Sequence, residues 1–203
     1  MIDYLKYVGS QTSMNSKKWG KLKLESASFT PASDGDMVVY IGDPFTKDRP
    51  LVRIHSVCLF SEVFDSNFCD CAEQLNLAME ILKREGDGIL FYLRFDGRGA
   101  GLSAKIKATS LEMEGIDTFE SRVQIGVAPE GRNFSEIALF LLKKGITKIT
   151  LLTNSPTKIG DLVNNGIDVE IKPLVINNSN ENVEKLYYTK VNKFNHNIQG
   201  YKK

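Results

Sequence analysis

The chain has little of what marks disulfide-rich, membrane-spanning or exported proteins. Three cysteines are odd in number and too few for a disulfide framework, which predicts thiols that stay reduced. The longest uninterrupted apolar run, Ile137 to Leu142, falls far short of the roughly 20 residues that cross a bilayer. The first residues also lack the apolar stretch of a signal peptide. These absences predict a cytoplasmic protein that makes no membrane contact.

The chain also lacks an excess of charge of either sign. The sequence holds 26 Lys and Arg against 25 Asp and Glu, which leaves a formal charge of +1. Because a polyanion needs a broad excess of positive charge, nucleic acid is not an expected partner. Any phosphate binding must then come from a few placed basic residues. With 42% hydrophobic side chains among 203 residues, the chain can bury a real core.

Apolar residues alternate between strand and helix patterns through the middle of the chain. Buried runs predict strands at 37–41, 51–54, 88–93, 149–152 and 169–171, and helical spacing predicts helices at 72–85, 102–114, 134–144 and from about 159. This alternation predicts an α/β fold, with a mixed sheet, partly parallel, and flanking helices. We expect a single domain over residues 1–203, with irregular segments at about 1–19 and 176–203, where Ser, Asn and Lys are frequent.

The three cysteines form a C-x10-C-x-C set, Cys58, Cys69 and Cys71. Three soft thiolates suit Zn²⁺, and three protein ligands leave one position open, which is typical of catalytic zinc. The alternative is that these are small buried apolar residues, as free cysteines often are. The polar segment 53–56 beside the thiols favours the metal site, because a core does not need such a cluster.

Two glycine- or hydroxyl-rich turns follow predicted strands. The segment 96–101 has three alternate glycines around Arg98, and the segment 153–158 carries hydroxyls, an amide and Lys158. Such turns can present N–H groups and positive charge to phosphate at the carboxyl ends of strands. A plain glycine turn and a plain helix cap are the alternatives. Glu130 and Arg132, two residues apart, could be a base with a phosphate clamp or a solvated surface pair.

Taken together, these residues resemble the GTP cyclohydrolase II family, whose members begin riboflavin synthesis. The most specific match is Arg53-Ile54-His55-Ser56-Val57-Cys58 followed by Phe68-Cys69-Asp70-Cys71 and Gln74-Leu75. Further matches lie at 96–98, 101–102, 117–118, 124–126, 130–132 and 151–158, and they extend to a tail with Thr189-Lys190 and His196. By itself His196 would be interpreted as a structural or exposed residue of a polar tail.

The resemblance implies a zinc-dependent hydrolase that acts on a purine nucleotide, GTP first. Cys58, Cys69 and Cys71 would hold one zinc ion, whose water attacks C8 and opens the imidazole ring. Formate and pyrophosphate would then be released. Glu130 would be the proton acceptor, and Arg132 would act at the α-phosphate, as an electrostatic stabiliser rather than a nucleophile because guanidinium stays protonated.

The resemblance also implies the nucleotide contacts: Arg53, His55, Ser56, Val57, Gln74, Asp96, Gly97, Arg98, Thr109, Thr118, Thr153 and Lys158. Mg²⁺ on the phosphates and a homodimer are further expectations of the family.

The sequence departs from the family at positions around the base. Val57 replaces a glutamate that could accept hydrogen bonds from guanine. Thr109 replaces a tyrosine, and Val123 stands where many members have histidine. Asp96 replaces a glutamate, and Glu130 replaces an aspartate. Three hypotheses stay open: the full reaction; a relative that retains the formyl group or takes another purine nucleotide; and a non-catalytic nucleotide-binding zinc protein.

Overall fold

The computed structural model describes residues 8–30, 35–176, 180–198 and 201. The strands in these ranges are β1 (Gln11–Ser16), β2 (Gly20–Ala27), β3 (Asp36–Ile41), β4 (Leu51–Ser56), β5 (Gly88–Leu93), β6 (Lys148–Leu152) and β7 (Asp168–Lys172). The helices are α1 (Leu59–Phe64), α2 (Cys71–Glu85), α3 (Gly101–Met113), α4 (Glu120–Gln124), α5 (Ser135–Lys143), α6 (Pro156–Asn164) and α7 (Glu181–Phe194). The predicted strands and the predicted long helices of the middle of the chain are confirmed to within about three residues at their ends.

The described strands form one seven-stranded sheet in the order β1-β2-β3-β5-β4-β6-β7. The first three strands pair antiparallel, and β3 also pairs antiparallel with β5. From β5 to β7 all neighbours are parallel. The predicted mixed α/β sheet is therefore confirmed. Because parallel strands end on one edge, the segments after β4, β5 and β6 lie beside one another.

Helices cover both faces of this sheet. Alternate residues of β3 point to opposite sides, so Val38 and Tyr40 join one buried apolar cluster and Val39 and Ile41 join another. Side chains of α5 and α6 fill the first cluster, and side chains of α2 fill the second. A strand buried on both faces needs apolar residues throughout, which is why the run at 88–93 identifies β5.

The expectation of irregular ends is wrong for the described part of the chain. β1 lies within the N-terminal segment, but it is an exposed edge strand, so its polar side chains did not indicate a strand. α7 lies within the C-terminal segment and buries a narrow stripe of Val183, Tyr187 and Val191. Residues 1–7, 177–179, 199–200 and 202–203 of the two predicted segments lie outside the described residues. Within the described ranges, no helix is both long and apolar enough to cross a membrane.

Candidate functional site

A cavity opens at the edge where the parallel strands end. Its walls are the segments that follow β4, β5 and β6, together with one face of α3 and part of α7. Both predicted phosphate turns lie here. Every predicted site residue except Glu130 lines this cavity: Arg53, His55, Ser56, Val57, Cys58, Cys69, Cys71, Gln74, Asp96, Gly97, Arg98, Thr109, Thr118, Arg132, Thr153 and Lys158.

The three cysteine sulfurs form a cluster within the cavity. All three Sγ atoms lie within 4.8 Å of one another, and those of Cys58 and Cys69 are 3.5 Å apart. Hydrogen bonds from the other two thiols lower the pKa of Cys58, and sharing the proton with Cys58 raises the pKa of Cys69 to about 11. Full deprotonation of three thiols this close would need a cation between them. The donor set fits zinc, whose preferred ligands include sulfur.

A buried hydrogen-bond network supports the first cysteine. One carboxylate oxygen of Glu62 accepts the backbone N–H of Cys58 at 2.7 Å and lies 2.9 Å from Nε2 of His55. The other oxygen accepts the hydroxyl of Tyr92 at 2.6 Å. Burial lowers the pKa of His55, which keeps its ring neutral at pH 7. His55 thus orients the cysteine loop through Glu62, a residue that the sequence analysis missed although it stands in the first turn of α1.

Two buried cations have only neutral hydrogen-bond acceptors. Arg53 is 5% exposed and donates to the Leu152 carbonyl and the Gln74 amide oxygen, at 3.0 and 3.1 Å. Lys158 is 7% exposed and donates to the Ile54 carbonyl at 2.8 Å. Burial lowers the pKa of Arg53 to about 10 and moves that of Lys158 well below its usual value. Since buried positive charge is costly without a counter-charge, this end of the cavity is suited to an anion.

The two loops that carry Arg98 and Arg132 touch through their backbones. The Gly131 N–H donates to the Arg98 carbonyl at 3.1 Å. A Cβ at Gly99 would lie 3.1 Å from the Gly131 carbonyl, and Gly99 also has a φ of +92°, so only glycine fits there. Arg98 itself takes the left-handed conformation, with a φ of 58°. This contact fixes both guanidinium groups at the same wall.

Glu130 and Arg132 form a two-point ion pair at this wall. Nε of Arg132 donates to Oε1 of Glu130 at 2.7 Å, and its Nη2 donates to Oε2 at 2.5 Å. Arg98 approaches the same carboxylate at 3.5 Å. Burial opposes the charged carboxylate, but the hydrogen bonds from Arg132 outweigh it and lower the pKa of Glu130. The predicted base is therefore an ionised carboxylate held by its neighbour.

One face of α3 lines the cavity with polar groups. Lys105 donates to Sγ of Cys58 at 3.1 Å and to Asp96 at 2.7 Å. Thr109 follows one turn later and Glu112 about one turn after that, where Glu112 pairs with buried Arg122. The sequence analysis named Thr109 but missed Glu112 and Arg122. Spacing of i, i+4 and i+7 on one helix would have placed Glu112 on this face.

Helix α7 and the residues after it form another wall. Leu186, Tyr187, Lys190, His196 and Ile198 all line the cavity. The Tyr187 hydroxyl donates to Asp70, which lies between two of the cysteines. The interpretation of His196 as a structural or exposed tail residue is wrong, because the end of α7 turns it into the cavity.

Comparison with known proteins identifies the family. The model of GTP cyclohydrolase II matches residues 7–172 of this chain. The chain belongs to the GTP cyclohydrolase II family. The match includes every residue that the sequence analysis assigned to the site, and α7 lies beyond it.

Curated members of the GTP cyclohydrolase II family align over most of this chain. The riboflavin biosynthesis protein RibBA of Bacillus subtilis (strain 168) is 39% identical over 171 residues, which is 83% of this chain and 43% of that protein. GTP cyclohydrolase-2 of Xylella fastidiosa (strain 9a5c) is 38% identical over 82% of this chain and 42% of its own length. GTP cyclohydrolase-2 of Psychromonas ingrahamii (strain DSM 17664 / CCUG 51855 / 37) is 47% identical over 60% of each. The chain thus spans about two fifths of the first two relatives.

Proposed function

We propose that this chain is a zinc-dependent hydrolase that opens the imidazole ring of GTP. The observation that carries the proposal is the position of three clustered thiols and several buried cations in one cavity. A purine triphosphate carries a ring carbon to be hydrolysed and an anion to be held, and this cavity offers a place for each. The names of the two GTP cyclohydrolase-2 relatives support GTP as the substrate.

Ring opening consumes one water. Water adds to C8, the C8–N9 bond breaks, and N9 takes a proton, which leaves a formamide on the pyrimidine. Cys58, Cys69 and Cys71 would hold a zinc ion, which would supply the Lewis-acid chemistry that makes water a nucleophile at neutral pH. The ammonium group of Lys105 lies beside Cys58 and Asp96, where it balances negative charge and orients the Asp96 carboxylate.

The phosphate end is the site of pyrophosphate loss. Arg53 and Lys158 hold the phosphates, since their positive charges have neutral partners in the chain. Arg132 turns from Glu130 to the α-phosphate and stabilises the charge that develops as a second water displaces pyrophosphate. Loss of that ion pair raises the pKa of Glu130, because the hydrogen bonds that lowered it are gone, and the carboxylate can then accept a proton.

A second candidate function follows from the base end of the cavity. Val57 lines the cavity without any side-chain acceptor, and Thr109 lines it with a hydroxyl that reaches less far than a phenol would. If a longer hydroxyl side chain is what orients the formamide or its water, formate release is slow here. The product is then the formylated pyrimidine, or the base is a purine other than guanine.

Product analysis tests these functions. We expect zinc-loaded protein incubated with GTP and Mg²⁺ to yield an opened pyrimidine monophosphate and pyrophosphate, detected by mass spectrometry and a pyrophosphate assay. Formate equal to substrate loss supports the full reaction, which consumes three waters. A stable formyl group supports the second candidate. Unchanged GTP and an unchanged panel of other purine triphosphates contradict both and leave a nucleotide-binding zinc protein.

The remaining proposals concern Mg²⁺, assembly and location. Mg²⁺ would accompany the nucleotide phosphates, and turnover should then depend on added Mg²⁺ after zinc is loaded. A homodimer is supported by apolar side chains left exposed on α1 and α3, which are Val63, Phe64, Ile106 and Met113. Light scattering at several concentrations tests the dimer. The cytoplasmic location stays a prediction of the sequence.

A further inference from the structure

The residues after α7 are held inside the cavity by backbone hydrogen bonds. Asn195 ends the helix in the left-handed conformation, and the N–H of His196 donates to the Lys190 carbonyl at 3.0 Å. The next N–H, from Asn197, donates to the Asn154 carbonyl at 3.2 Å. Asn154 belongs to the turn between β6 and α6. The end of α7 is therefore tied to the turn that leads to Lys158.

Four cations lie around His196. They are Lys190 on α7, Lys158 on α6, Arg98 in the turn after β5, and Arg132 in the loop before α5. The nearest carboxylate to Lys190 is that of Asp70, at 3.9 Å, which is too far for a hydrogen bond. Glu130 offsets part of the charge of Arg98 and Arg132. Four cations against this carboxylate and Asp70 still leave the wall net positive.

We propose that Lys190 and His196 bind the nucleotide's phosphates, so that α7 and the residues after it complete the anion site. For the nucleotide this inference rests on the proposed function, but the chemistry requires only a polyphosphate. Lys190 supplies a charge whose carboxylate neighbour, Asp70, lies beyond hydrogen-bond distance. His196 supplies a ring N–H at the centre of the cations, where a phosphate oxygen would neutralise them.

The protonation state of His196 agrees with this role. Burial, together with the four neighbouring cations, lowers its pKa to about 3, so the ring is neutral at pH 7. A neutral imidazole donates one hydrogen bond. A bound polyphosphate offsets Lys190, Arg98, Lys158 and Arg132 and thereby raises the pKa of His196.

Binding of inorganic tripolyphosphate to the zinc-loaded chain tests the inference by calorimetry. Lys190→Met and His196→Phe should each weaken binding about tenfold or more, as expected for a lost charge-assisted hydrogen bond. Lys190→Arg should keep most of the affinity. Lys185→Met is the matched control, because Lys185 lies on the same helix, is exposed, and pairs with Glu181 instead.

A second measurement uses the unaltered protein. The chain has two histidines, so NMR can follow both rings. Tripolyphosphate should shift the resonances of His196 and raise its titration midpoint. Any change at His55 should be smaller, because its ring is buried and hydrogen-bonded to Glu62. Unshifted His196 resonances together with wild-type affinity in both variants would overturn the proposal. Tripolyphosphate binding without GTP turnover would defeat the proposed function alone, and turnover with unaffected variants would defeat this inference alone.

Discussion

Two buried groups of charges in this molecule are built in opposite ways. On the antiparallel side, Glu25 is 5% exposed and accepts hydrogen bonds from Lys144, Tyr40 and Gln11 at 2.7 to 3.0 Å. At the carboxyl edge, buried Arg53 and Lys158 donate to carbonyl and amide oxygens only. The first group is balanced within the chain, whereas the cations of the second have no hydrogen bond to a carboxylate.

This difference indicates that the first group stabilises the fold and that the second group serves ligand binding. A balanced ion pair with its hydrogen bonds satisfied joins β2, β3 and the end of α5, and removing one partner harms the fold. Unbalanced buried cations destabilise the free protein, so their presence is explained by an anionic ligand that completes them. The five predictions below break or sharpen this comparison, and they run from the largest expected effect to the smallest.

Removal of a metal ligand should abolish catalysis, whereas a substitution in the antiparallel part of the sheet should leave the metal in place. Cys69→Ser should lose zinc and with it all detectable turnover of GTP, because two remaining thiols hold zinc poorly. Elemental analysis and product formation measure both effects. Glu25→Gln serves as the control and should keep a full zinc content. A zinc-replete Cys69→Ser protein would contradict the assignment of the cluster.

Replacement of an uncompensated cation should weaken binding and strengthen the fold. Lys158→Met should cost about 1.5 to 3 kcal/mol of nucleotide binding, a typical charged hydrogen bond. Its free energy of unfolding should nevertheless rise, since a buried charge is removed. Calorimetry measures the loss of binding, and denaturant titration measures the gain in the free energy of unfolding. A variant that is both weaker in binding and less stable would contradict the view of Lys158 as a ligand-directed charge.

The same residue predicts a pH dependence. Burial places the pKa of Lys158 well below its usual value, so the folded state loses this proton before the unfolded state does. Stability of the ligand-free protein should therefore rise with pH between the lowered folded pKa and the unfolded value near 10.4. Lys158→Met should flatten this rise, which melting temperatures across that range can test.

Replacement of the balanced carboxylate should weaken the fold and spare binding. Glu25→Gln should lower the free energy of unfolding by about 1 to 3 kcal/mol. Burial opposes its charged form, but the bonds from Lys144 and Tyr40 outweigh it and lower the pKa of Glu25. This stability is present above the unfolded pKa and is lost as pH falls through the lower folded pKa. Lys148→Met, which breaks an exposed pair with Asp48, is the control and should change stability little.

A substitution at the base end should alter only the product ratio. Thr109→Tyr should raise formate relative to the formylated pyrimidine, because a phenol reaches further into the cavity. Stability should hardly change, since Thr109 is only half-buried on α3. Thr109→Val tests whether the hydroxyl itself matters. Formate already equal to substrate loss in the unaltered protein would remove the basis of this prediction.

Much of the fold could be predicted because the central strands β4 and β5 are buried on both faces. The continuous apolar run of β5 is an example, whereas β1 is polar and forms only through pairing with β2. Cysteine spacing identified the three ligands, but nothing local indicated that Glu62 would accept the N–H of Cys58. The expectation that His196 is a structural or exposed tail residue was wrong for a similar reason. Its position depends on contacts with distant parts of the chain rather than on its neighbours in sequence.

The pairing of β4 with β6 also has a consequence for how the protein folds. Arg53 meets the Leu152 carbonyl across 99 residues, and Lys158 meets that of Ile54 across 104. Closing so long a loop is slow compared with forming the hairpin of β1 and β2. We therefore expect the anion site to appear late in folding, when β6 docks beside β4. A phosphate probe added during refolding would report that docking step.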